Sequence, residues 1–88
     1  MAHQIELTVS VEELLPPDFE HTIVCRSVFK DGATGDYHCE IKGLEHTEWM
    51  TLKTSDTFRS FGLDILVKEI YPANSGRAAK VLISYSND

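Results

Sequence analysis

The side chains best suited to chemistry in this chain are Cys25 and Cys39 together with His21, His38 and His46. Thiolate and imidazole are the usual ligands of zinc, and a thiol within hydrogen-bond reach of an imidazole becomes a nucleophile. The spacing argues against both uses. A structural zinc site takes two ligands from a short knuckle, whereas His38 and Cys39 are neighbours in sequence and must point to opposite faces of a strand. His21, Cys25 and Cys39 are the metal candidates on this reading, poorly spaced for the task, and no resident metal or cofactor is expected. If residues 21–30 pair with residues 37–42, Cys25 and Cys39 come close to opposite each other. A bond between them needs Cα atoms within about 7 Å and an oxidising compartment. Buried free thiols are the simpler expectation.

The other polar clusters read as surface or turn. Glu12, Glu13, Asp18 and Glu20 surround Pro16-Pro17, where four acids on a loop form a solvated face more readily than an acid–base pair. Asp31 and Asp36 flank two glycines, but the ligand pattern of a calcium loop and its closing glutamate are missing, so turn chemistry accounts for both. There is no phosphate-cradling glycine loop and no G-x-S-x-G elbow. Basic residues meet aromatics only around Lys53, Phe58, Arg59 and Phe61, which is poor support for base stacking. Nothing points to an enzyme.

Trp49 is the residue most suited to recognition, because an indole buries a large area at little entropic cost while keeping one polar handle. It alternates with Thr47 and Thr51 against Met50 and Leu52, so a core on the even side alone leaves Trp49 on the outer face, whereas a sheet covered on both sides makes it core. His46 and Glu48 stand close by in sequence, and the three together are the candidate partner-binding residues.

These side chains must be positioned by strands. The firmest pattern is 61–71 followed by 78–85, joined by the turn-rich 72–77. Leu63, Ile65 and Val67 share one face of the first run, and Ala79, Val81, Ile83 and Tyr85 one face of the second. Residues 3–11 alternate in the same way, with Ile5, Leu7, Val9 and Val11 inward. Residues 21–30 carry apolar side chains at both parities, which predicts cover on both faces. After the 31–36 turn, residues 37–42 place Tyr37, Cys39 and Ile41 inward and His38, Glu40 and Lys42 outward, and Trp49, Met50 and Leu52 give 47–53 its apolar content. Ser10 with Glu13 has the spacing of a capping box, and Thr54-Ser55-Asp56-Thr57 is also a capping sequence, so a single helical turn fits at 11–15 or through Phe58 and Arg59. Pro16 and Gly62 allow no more.

Six strands with short turns leave no segment for parallel crossovers, so residues 1–88 are expected to form a single all-β domain, mainly antiparallel, as a small β-sandwich or partly open barrel. Lys plus Arg number 8 against 14 Asp plus Glu, a formal charge of -6 that repels phosphate backbones and anionic lipid, so no nucleic-acid or membrane partner is expected. No apolar run approaches the roughly 20 residues of a bilayer span and the N-terminus lacks a secretory pattern, which reads as cytoplasmic. So short a chain scarcely encloses a small-molecule cavity. The expectation is a non-enzymatic protein–protein interaction domain, as inhibitor, antagonist, adaptor or assembly component, binding another protein or a second copy of itself. The alternative is a metal- or thiol-dependent site built on Cys25, Cys39 and the histidines.

Overall fold

The computed structural model describes residues 3–15, 21–43, 46–60 and 62–86; of Leu15, His21 and His46 only the backbone is described. The described residues form eight strands: β1 (His3–Thr8), β2 (Glu13–Leu15), β3 (His21–Lys30), β4 (Tyr37–Gly43), β5 (His46–Lys53), β6 (Thr57–Ser60), β7 (Leu63–Tyr71) and β8 (Lys80–Ser86). They make two four-stranded sheets, ordered β1-β8-β7-β6 and β2-β3-β4-β5, and every pairing is antiparallel. The sheets are not closed into a barrel. Alternating side chains from both inner faces meet in one core, with Leu7, Ile65, Val67, Val81 and Ile83 from the first sheet against Ile23, Cys25, Cys39, Ile41 and Leu52 from the second.

Two strands stand where helical turns were expected. Residues 13–15 pair with β3 instead of coiling, and residues 57–60 pair with β7, so the expected six strands become eight, and no helix occurs among the described residues. Both capping sequences act as sheet-to-sheet turns. At the first, Ser10 adopts φ +70° and its N–H donates to the Cys25 carbonyl at 2.8 Å, so β1 ends at Thr8 and Val11 is left 46% exposed rather than inward. At the second, the Asp56 carboxylate accepts from the Lys53 N–H at 3.0 Å, and Ser55, at φ +80°, donates its N–H to Val67. Single residues at positive φ reverse the chain faster than a helix could, and unpaired edges of β3 and β7 reward the reversal with backbone hydrogen bonds.

The double parity of β3 has a different cause from two-sided cover. The register with β4 shifts between Cys25 and Ser27, leaving Arg26 as an extra, bulged residue. One added residue inverts the alternation, so the inward set runs Ile23, Cys25 and then Val28, while Phe29 is 42% exposed. The same device operates in β7, where a shift at Lys68 turns Leu63, Ile65 and Val67 on one side of it into Ile70 on the other. Tyr37, expected inward, is also exposed; it begins β4 beside the turn, with the Lys30 ammonium 6.0 Å over its ring.

The turns follow their composition. In the 31–36 turn, Asp31 accepts from the Ala33 N–H through its side chain and from the Gly35 N–H through its carbonyl, each at 2.8 Å. Both aspartates therefore do turn work, as expected. The β7–β8 connection closes through paired hydrogen bonds between Asn74 and Arg77.

Candidate functional site

The outer face of β3, β4 and β5 gathers the polar and aromatic residues that the core does not use. Cross-strand register decides which of them meet: Ser27 stands opposite Glu40, Phe29 opposite His38, Glu40 opposite Thr51 and His38 opposite Lys53. Phe29 and His38 stack at 5.7 Å with planes 15° apart. The Arg26 bulge swings its guanidinium over the same face, where Nε and Nη2 donate to the two Glu40 carboxylate oxygens at 3.2 and 3.0 Å. The Ser27 hydroxyl adds a third hydrogen bond, 2.6 Å to Oε1.

Trp49 completes this cluster. Its ring is half-buried, with Arg26 Cζ 4.5 Å and Lys42 Nζ 4.9 Å from its centroid. Both cations exploit the negative face of the indole, and because Arg26 is itself held in a two-point fork by Glu40, the ring is pinned against a fixed group. Trp49 is thus outside the core, as its parity with Thr51 predicts. Arg26 and Glu40 were not singled out from sequence for this site: the bulge that brings Arg26 over the sheet leaves no mark in residue type. Lys42 was placed outward by alternation alone.

Of the residues expected to accompany Trp49, Glu48 is exposed, and the His46 backbone pairs with Gly43 while its side chain lies outside the described residues. The register shifts between these pairs, so the three do not follow one regular alternation. The ring's close charged neighbours among the described residues are the cations Arg26 and Lys42.

Arg26 first, and then the Ser27 hydroxyl, hold the Glu40 carboxyl below the usual glutamate range. A carboxyl with a lowered folded pKa contributes stability that is complete above the unfolded value, about 4.3, and is lost as pH falls through the folded value beneath it. Thermal midpoints of wild type and Glu40→Gln should therefore differ at pH 6–7 and draw together as pH falls below about 4. A gap that stays constant with pH would mean that the charge of Glu40 is not what the fork uses.

The thiols lie on the other side of the same sheet. Cys25 pairs with Ile41, while Cys39 is flanked by Val28 and Leu52, so the bulge sets the two cysteines diagonally rather than directly opposite. Both are free and fully shielded from solvent, and the two thiols are near enough to bias each other's ionisation. That contact, with burial adding to it, pushes the Cys39 thiol well above the ordinary cysteine range. Cys25 donates weakly to the Ser27 carbonyl at 3.4 Å. His38 is on the outer face against Phe29, away from Cys39 as the alternation requires. Among the described residues no three His, Cys, Asp or Glu side chains converge as metal ligands, and the His21 side chain lies outside them. Asp18, Glu20 and Phe61 lie outside them too, while Glu12 is exposed and Glu13 half-buried in β2. Lys53 and Arg59 end up on different sheets, Arg59 paired with Asp64 at 3.1 Å.

No protein-family model, curated protein or solved structure matches this chain. Among the described residues no helix is long and apolar enough to cross a membrane.

Proposed function

We propose that this chain is a non-enzymatic protein–protein interaction domain, acting as an inhibitor, antagonist, adaptor or assembly component, and that it recognises its partner through the outer face of β3, β4 and β5. The observation that carries this reading is Trp49, half-buried on that face with Arg26 and Lys42 over its ring. Recognition surfaces concentrate their energy in a few aromatic and arginine anchors, and an anchor already ordered before binding gives up less side-chain entropy. Phe29 and Tyr37, both exposed, extend the aromatic content of the same sheet.

Affinity capture from a native extract tests the reading, with wild type, Trp49→Ala and Arg59→Ala as baits. Arg59 lies on the other sheet, so its replacement controls for general loss of surface charge. A partner retained by Arg59→Ala and weakened about tenfold or more by Trp49→Ala, with both variants folded, supports the Trp49 face. A partner held equally by all three baits removes Trp49 from the account.

A further inference from the structure

The strands at the sheet edges are β1, β2, β5 and β6, and they differ as templates for a further strand. β2 and β6 have only 3 and 4 residues, while β5 is bulged against β4 and its Lys53 end is closed by Asp56. β1 alone combines length with an unbroken register, from His3 opposite Tyr85 to Thr8 opposite Lys80. Edges are usually guarded by a bulge, a proline or an unmatched charge, and β1 has none of these.

The ladder fixes which backbone groups of β1 are free. The Val9 N–H donates to the Ala79 carbonyl at 3.0 Å in continuation of the same register, so His3, Ile5 and Leu7 spend their backbone groups on β8. Gln4, Glu6 and Thr8 therefore turn theirs outward. The Thr8 carbonyl accepts from the Val11 N–H, but no described residue bonds the outward N–H or C=O of Gln4 or Glu6. The side chains leave the edge equally open. Ile5 is only half-buried against the core, Gln4 is exposed, and the Glu6 carboxylate is matched by Lys80 at 3.1 Å.

From this we infer that the free edge of β1 pairs antiparallel with β1 of a second copy of this chain, about a twofold axis through Ile5, so that the two β1-containing sheets become one. The axis sets Gln4 opposite Glu6 of the copy and Glu6 opposite Gln4, and each pair exchanges both main-chain hydrogen bonds through the groups that are free. Ile5 meets Ile5 of the copy in the position between them, where side chains approach most closely, and finishes the half-open end of the core. On the outer face the Gln4 amide donates to the Glu6 carboxylate of the copy. The strand is thus complementary to its own reverse, which is what an isologous contact requires. An axis through Glu6 instead would oppose two like charges, which is destabilising. The edge lies on the sheet that does not carry Trp49, so the inference is independent of the proposed recognition face. A 6-residue strand pair buries less than the roughly 1,200 Å² of a standard interface, so the dimer is weak and concentration-dependent.

Sedimentation equilibrium in about 0.15 M salt, over about 0.02 to 1 mM protein, tests this together with amide hydrogen exchange at both ends of the range. Wild type is expected to pass from monomer to dimer near about 0.1 mM, with the Gln4 and Glu6 amides exchanging about threefold more slowly at the high concentration. Gln4→Lys should tighten the dimer about fivefold and Gln4→Glu should weaken it by about as much, and loss of structure cannot move association in both directions. Gln4→Pro removes an outward N–H that β8 does not use, and should abolish the dimer while the fold is retained. A monomer throughout the range overturns the inference. So does a dimer indifferent to the charge at position 4, or one that leaves the Gln4 and Glu6 amides unprotected. Each of these failures leaves the Trp49 face, on the other sheet, as it stands.

Discussion

Replacing Gly43 by alanine is expected to destabilise the fold by about 3 kcal/mol or more, lowering Tm by roughly 12–24 °C. Gly43 closes β4 opposite Ile23, at φ +143°, a conformation that side chains rarely adopt. A Cβ there would overlap the Thr22 carbonyl oxygen and lie 2.7 Å from the Ile23 Cα. Both obstacles are backbone, so relief requires β3 and β4 to separate where they pair most closely to the Trp49 end of the sheet. Gly32 is the internal control: nothing lies within 4 Å of a Cβ built there, and its alanine variant should stay within about 0.5 kcal/mol of wild type. Thermal unfolding followed by circular dichroism reads both. Equal midpoints for the two variants would show that the strands give way at Gly43 without cost.

Cys25 and Cys39 are expected to react with a thiol reagent at least about a thousandfold more slowly in the native protein than in denaturant, and to appear together. Both sulfurs are at zero exposure, and the reactive species is the thiolate, which the contact with Cys25 and burial disfavour at Cys39. Reaction must then wait for opening, whose free energy in the core approaches that of unfolding, about 5 kcal/mol or more. Stopped-flow titration with an aromatic disulfide, with and without guanidinium, measures the ratio. One equivalent released rapidly from native protein would revive the thiol-dependent alternative and place the reactive sulfur within reach of solvent. Two equivalents released slowly and together would leave the pair as packing.

The β7–β8 hairpin, Leu7 of β1, Cys39 and Ile41 of β4 and the inward residues of β8 were legible because strand side chains alternate with period two, and hydrophobicity follows that period wherever one face is buried; Tyr37 and Val11, at strand ends beside turns, escape it. Leu63, Ile65, Val67, Val81 and Ile83 are core in the sequence pattern and core in the fold. The same rule set Trp49 opposite Met50 and Leu52, without saying whether its own face is covered. Chain length and the lack of crossover segments likewise dictated antiparallel sheets.

What the linear pattern did not contain is everything that depends on a second strand. A bulge changes which parity faces inward, but it is stabilised by register with the neighbour and by nothing in the bulged residue itself. The double parity of β3 therefore looked like two buried faces. Ser10-Val11-Glu12-Glu13 and Thr54-Ser55-Asp56-Thr57 satisfy local helix-start rules, yet unpaired edges of β3 and β7 offered their backbones more hydrogen bonds than one helical turn could. The site was divided in the same way. The sequence alone put Trp49 on the face opposite Met50 and Leu52, and whether that face is covered was for the folded sheet to decide. Tertiary structure decided that Arg26, Glu40, Ser27 and Lys42 surround it, because cation, carboxylate and indole come from three strands whose register only the folded sheet defines.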